Sequence, residues 1–131
     1  MRIHQSFVKY LKEKKSEEKR FVVDEKNHKF YVILDDILLA ESGFKIENPD
    51  EWFNGKYISI YDLKTIEKYR GKGFARYLLE KIFEYTKNIL EFNIVTLIVD
   101  KDNYKAIKLY FNMGFEIFME YDESYSLVKK L

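Results

Sequence analysis

The chain has no cysteine, which removes thiol nucleophiles, disulfides and thiolate metal sites together. Histidine is almost as scarce. His4 and His28 stand alone, neither falls in a metal-ligand spacing, and no metal is expected. The single proline, Pro49, lies in a loop-like stretch from Glu47 to Gly55, and no repeat, low-complexity tract or Pro/Gly/Ser linker divides the sequence. An excess of one charge is also missing: 23 Lys and Arg against 22 Asp and Glu leave a formal net charge of +1. That balance argues against a nucleic-acid partner, which would call for a basic face making several phosphate contacts. The Lys-rich stretch Lys9 to Arg20 is interleaved with Glu13, Glu17 and Glu18 and reads as a solvated helix face. Long apolar runs are absent as well. With neither a signal-peptide core nor a window long enough to span a bilayer, no membrane association is expected and a cytoplasmic protein is.

What remains is a chain of 131 residues, 47% hydrophobic and 18% aromatic, enough to close one core without staples, so residues 1–131 are expected to form a single domain. Phe7, Val8 and Leu11 give Ile3 to Lys15 a helical period. Phe21 to Val23 and Lys29 to Leu34 read as strands joined by a turn at Asn27-His28, and Asp35-Asp36 as a tight turn into a strand from Ile37 to Ile46. Tyr57 to Thr65 alternates like a further strand. The clearest helix carries Phe74, Ala75, Leu78, Leu79, Ile82, Phe83 and Thr86 on one stripe. Asn93 to Val99 has almost no polar interior and reads as a buried strand. Tyr104 to Phe111 is a second helix with a stop at Gly114, and Phe115 to Tyr121 and Tyr125 to Val128 are the last strands. The strand–helix–strand unit between Tyr57 and Val99 predicts one parallel pair in an otherwise antiparallel sheet. The fold class is therefore mixed α/β.

Two segments carry chemistry. The first is Arg70-Gly71-Lys72-Gly73-Phe74-Ala75, where a strand gives way to the long helix. Glycines there let the main chain approach a ligand while the unpaired amides of the helix start point at an anion, with Arg70 and Lys72 adding charge. A plain structural turn is the competing reading. A Rossmann fingerprint needs a third glycine where Arg76 stands, and a P-loop needs Gly-Lys-Ser/Thr after a longer gap, so neither pattern is met. The second segment runs from Leu97 to Phe115. Asn103 is placed to cap the helix and to offer its amide to a ligand, and Tyr110, two turns on, shares its face. By itself a tyrosine there is more often a core or rim aromatic than a catalyst.

Together the segments resemble the GNAT superfamily of acetyltransferases. Arg70, Gly73 and Ala75 fit the Arg/Gln-x-x-Gly-x-Gly/Ala pattern of its motif A, with Glu67 standing where proline is usual. The run Asn103 to Phe115 is similar to motif B: Asn-x-x-Ala-x-x-x-Tyr followed by Gly-Phe. The resemblance covers roughly Tyr57 to Phe115 with specific motifs.

It implies a mostly antiparallel central sheet flanked by helices, with one parallel strand pair that splays. It also implies acetyl-CoA as cosubstrate and direct transfer to an amine in a ternary complex. Main-chain groups of Leu63, Lys64 and Thr65 would hold the pantetheine arm, and Arg70, Gly71, Lys72, Gly73, Phe74 and Ala75 the pyrophosphate. Asn103 and Tyr110 would also face the cofactor. Tyr110 is the implied general acid; Asp62 is the first choice for the base, with Glu41 behind it and water as a further alternative. The acceptor stays open between a protein N-terminus, a lysine and a small amine, and the protein between monomer and homodimer. No acidic cluster that would mark a polyamine site stands out in the sequence. A noncatalytic acyl-CoA-binding module and a plain interaction domain are the alternatives.

Overall fold

The computed structural model describes residues 19–131. The helix expected from Ile3 to Lys15 lies outside the described residues. Seven strands form one sheet: β1 (Arg20–Asp24), β2 (Lys29–Leu34), β3 (Ile37–Glu47), β4 (Tyr57–Thr65), β5 (Ile94–Asp100), β6 (Glu116–Glu120) and β7 (Ser124–Lys130), in the order β1-β2-β3-β4-β5-β7-β6. Two α-helices are described, α1 (Phe74–Asn88) and α2 (Tyr104–Asn112), with a 3-10 turn at Glu67–Tyr69. Among the described residues no helix is long and apolar enough to cross a membrane.

The chain divides into two compact units. The first takes in the described residues up to Gly43 together with Asp62–Leu78, and the second is Phe44–Tyr61 with Leu79–Leu131. In the first unit β1 and β2 pair antiparallel from Arg20↔Ile33 to Asp24↔Lys29. Asp24 ties the intervening turn, accepting from the Asn27 backbone amide at 3.1 Å and from Nδ2 at 2.9 Å. The β2–β3 turn has two central residues, Asp35 and Asp36, with φ of 48° and 68°. That is the type I′ geometry matching strand twist, and aspartate is among the few non-glycine residues that reach it. Val22, Tyr31 and Ile33, with Leu38 against them, form a core on one side of these strands.

In the second unit β4 and β5 are the parallel pair expected from the sequence, in register at Ile58↔Val95 and Ser59↔Thr96. β5 pairs antiparallel with β7 over its whole length and β6 pairs with β7. Val95, Leu97 and Val99 are buried, while Ile98 on the other face is 68% exposed. The strand reads as continuous because Ile94, Thr96 and Ile98 are themselves β-formers, so its sequence does not alternate although its burial does. The stripe of α1 holds: Leu78, Leu79, Ile82 and Thr86 are fully buried, and each buried aliphatic side chain is worth about 1.5–3 kcal/mol relative to exposure.

Candidate active site

The first unit contributes the turn ahead of α1. β4 alternates at first, then Tyr61 and Asp62 are exposed in succession. The break coincides with a left-handed φ of 50° at Asp62, a conformation that offsets every later side chain from the simple alternation. Asp62 is consequently an exposed carboxylate at a kink in the strand. Leu63 and Thr65 are half-buried and Lys64 is exposed. Beyond the strand, the Ile66 amide donates to the Leu39 carbonyl at 2.9 Å and the Tyr69 amide to the Ile66 carbonyl at 2.8 Å. Arg70 Nε donates to the Thr65 carbonyl at 3.2 Å, so this guanidinium braces the turn while its terminal nitrogens lie at the surface.

Gly71 and Gly73 have φ of 78° and 84°, and a Cβ at either would meet nothing within 4 Å. Both glycines are needed for the backbone path, and the space in front of them is open. The first intrahelical bond of α1 runs from the Tyr77 amide to the Gly73 carbonyl at 3.0 Å. The Phe74 and Ala75 amides precede it, without intrahelical acceptors and at the positive end of a helix of 15 residues. Lys68, Arg70, Lys72 and Arg76 surround the turn, against one acid, Glu67.

Lys19 joins this group unannounced by the sequence. Its Nζ lies 5.7 Å from the Phe74 ring centroid and 4.9 Å from that of Tyr77, and the Tyr77 hydroxyl donates to the Lys19 carbonyl at 3.3 Å. The end of the stretch read as a solvated helix face is thus an extended segment entering β1 at Arg20. The signal that could have found it is the aromatic pair Phe74 and Tyr77, spaced to hold a cation.

The second unit contributes α2. Asn103 caps it as expected, its Oδ1 accepting from the Ala106 amide at 3.3 Å, which leaves its Nδ2 for another acceptor. The other end closes in a Schellman arrangement. The Phe115 amide donates to the Tyr110 carbonyl and the Gly114 amide to the Phe111 carbonyl, both at 3.0 Å, with Gly114 at φ 93°. This closure brings the Tyr110 and Phe115 rings together at 5.7 Å, edge to face. Tyr110 is 7% exposed, and burial raises the pKa of its phenol. Among the described residues its hydroxyl has no hydrogen-bond partner. It is a protonated donor with no prior commitment.

Two further features of this unit bear on the site. β4 and β5 pair at Ile58↔Val95 and Ser59↔Thr96, close to the start of both strands. At the last pair the Ser59 and Thr96 hydroxyls share a hydrogen bond of 2.7 Å. The second feature is charge: Asp100, Asp102, Asp122 and Glu123 line a cavity of about 410 Å³ together with Lys101. The sequence shows no such cluster because the β6–β7 hairpin brings its acids to the end of β5 only in the fold.

Residues 2–115 match the model of the acetyltransferase (GNAT) family, and the chain belongs to that family. A comparison with curated protein sequences finds no match. Among solved structures, the fold is similar to that of Arabidopsis thaliana NAA60 in complex with acetyl-CoA. The TM-score is 0.66 at 22% identity, over 79% of this chain and 75% of that one. It is also similar to Campylobacter jejuni N-acetyltransferase PseH (0.63, 23%, 96% of this chain and 78% of that one). A third is a dodecameric spermidine N-acetyltransferase from Vibrio cholerae (0.62, 20%, 78% and 63%). At these identities the likeness is one of fold.

Proposed function

We propose that the protein transfers an acetyl group from acetyl-CoA to a primary amine by direct attack in a ternary complex. The observation that carries this reading is the turn before α1. Two glycines held at positive φ leave open space ahead of helix amides that lack intrahelical acceptors, ringed by cations. That donor set fits a pyrophosphate. Acetyl-CoA supplies an activated thioester carbonyl when bound. Main-chain groups of Leu63, Lys64 and Thr65 hold the pantetheine arm, while Arg70, Gly71, Lys72, Gly73, Phe74 and Ala75 hold the pyrophosphate. Asn103 presents its Nδ2 to the same ligand.

The remaining chemistry is three proton movements. Asp62 takes the proton from the acceptor's ammonium so that a free amine attacks the carbonyl carbon. As the carbon–sulfur bond breaks, Tyr110 gives its proton to the departing sulfur, and the proton that the new amide nitrogen loses returns to the Tyr110 phenolate, so the products are an acetamide and the CoA thiol. A phenol is protonated at neutral pH, as a donor must be, and burial moves the Tyr110 pKa further up. One protein of similar fold is a spermidine N-acetyltransferase, and the acidic cavity immediately before the Asn103 cap favours an acceptor carrying more than one positive charge.

Thermal unfolding with acetyl-CoA tests the cofactor assignment. A ligand bound only by the folded state adds about 2.7 kcal/mol at 100 times its Kd. For a domain of this size that corresponds to a rise of roughly 10 °C in Tm. No shift at millimolar acetyl-CoA overturns the assignment.

A further inference from the structure

A cavity of about 540 Å³ opens in the second unit, where Trp52, Phe53, Lys56, Glu91, Phe92 and Asn93 are among the residues that line it. Lys56 immediately precedes β4, and Asn93 immediately precedes β5. Asn103 and α2 follow the other end of β5, a strand of seven residues and so about 20 Å away. None of the cavity's residues belongs to either family motif. The volume lies in the range of small-molecule sites.

Its aromatic wall is held in place from behind. Asp50 Oδ1 accepts from the amides of Trp52 at 2.9 Å and Phe53 at 3.0 Å, and its Oδ2 accepts from the Tyr57 hydroxyl at 2.6 Å. Phe118 meets Trp52 edge-on at 5.4 Å and Phe53 at 5.4 Å, while Phe53 meets Tyr57 at 4.8 Å. Fixed in this way, Trp52 nevertheless stays 56% exposed. Glu91, also in the lining, holds a left-handed φ of 60° in the turn that follows the helix ending at Asn88. The Leu90 amide donates to the Tyr85 carbonyl at 3.1 Å and the Phe92 amide to the Thr86 carbonyl at 3.0 Å, fixing the chain on either side of Glu91.

Two exposed residues of opposite charge therefore line one cavity with an aromatic wall without pairing with each other. Among the described residues neither Lys56 nor Glu91 has an ion-pair or hydrogen-bond partner. An anion alone would face Glu91, a polyamine would face Lys56, and a neutral apolar ligand would leave both charges desolvated and unanswered. A ligand with both signs at one end and a flat or bulky apolar group at the other answers every part of the wall.

We propose that this cavity is a second small-molecule site, one that takes a free α-amino acid with an aromatic or bulky apolar side chain. Lys56 receives the carboxylate, Glu91 the ammonium, and Trp52 with Phe53 the side chain. The site needs no acetyl transfer, so it stands or falls separately from the proposed activity.

Trp52 is the single tryptophan of the chain, so its fluorescence, excited at the red edge of the band, reports on the cavity alone. The full chain is titrated with L-phenylalanine, with phenethylamine and with 3-phenylpropionate, with and without saturating acetyl-CoA. The expected result is a saturable change with L-phenylalanine, unmoved by acetyl-CoA. Each analogue lacking one charge should bind about tenfold or more weakly, as loss of a charge-assisted bond requires. Lys56→Gln should remove the preference for the carboxylate, and Glu91→Asn the preference for the ammonium; asparagine keeps a residue that tolerates the left-handed φ. No saturable change up to about 10 mM, the weakest affinity such a cavity would be credited with, overturns the proposal. So does equal binding of the three compounds, or displacement by acetyl-CoA. If a variant fails to fold, the analogue series on the native chain decides.

Discussion

Two substitutions at Gly73 separate its backbone role from its role toward a ligand. At φ 84°, with nothing within 4 Å of an added Cβ, alanine meets strain but no clash. The left-handed conformation costs an L-residue about 1–2 kcal/mol, a fall of roughly 3–8 °C in Tm for a domain of this size. Aspartate tolerates this φ at least as well as alanine, so its folding cost should be no larger. Toward a pyrophosphate the two differ sharply. A carboxylate about 5 Å from one phosphate charge, at an effective dielectric near 20, costs about 3 kcal/mol, on the order of 100-fold in Kd. Salt will screen part of this at the exposed turn. Calorimetric titration of the two variants with acetyl-CoA, beside their melting curves, makes the comparison. Gly73→Asp should bind at least about tenfold more weakly than Gly73→Ala at similar Tm. Equal affinities would make the turn a structural cap and remove the pyrophosphate from it.

Tyr110→Phe keeps the ring against Phe115 and removes only the hydroxyl, so turnover should fall toward the roughly 10²–10⁴-fold that general acid catalysis supplies while acetyl-CoA affinity holds. A loss below about threefold with chemistry limiting the rate would take Tyr110 out of the mechanism. Alkaline unfolding tests the burial of the phenols. Tyr110 is raised above its ordinary 10.0 by burial and Tyr57 to about 12, chiefly by its hydrogen bond to Asp50. The unfolded chain therefore loses these protons first, and stability should be complete below pH 10 and fall as pH rises from there through 12; a flat Tm across that window would contradict it. Removing one hydroxyl of the Ser59–Thr96 pair, as Ser59→Ala or Thr96→Val, should cost about 1 kcal/mol. The double variant should cost less than the sum of the singles, and strict additivity in a double-mutant cycle would show the pair to be uncoupled.

How far the sequence reveals this molecule depends on whether a signal is local. β2 and β4 fall on their expected bounds, and Asn103 caps α2, because alternation, capping and turn chemistry are written within a few residues. The parallel pair is legible through the single helix that joins its strands. Asp62 is different. Aspartate tolerates its left-handed φ of 50°, but nothing in the neighbouring residues marks that position within an otherwise alternating strand. The acids of the 410 Å³ cavity, Lys19 above Phe74 and Tyr77, and the wall built by Trp52 and Glu91 are all meetings of segments far apart in the chain. The candidate cofactor residues rest on two motifs whose spacings are short and therefore local signals. The acceptor side has no such motif.

Acetyl transfer itself is the most direct test. The protein is incubated with acetyl-CoA and a panel of primary amines spanning N-terminal peptides, lysine peptides, polyamines and small amines, and both the acetylated amine and the released CoA thiol are measured. The account predicts stoichiometric acetamide and thiol with at least one amine, rates that give intersecting double-reciprocal lines as a ternary complex requires, and a marked loss in Tyr110→Phe. Acetyl-CoA binding without transfer to any amine in the panel would contradict it and leave a cofactor-binding module in its place.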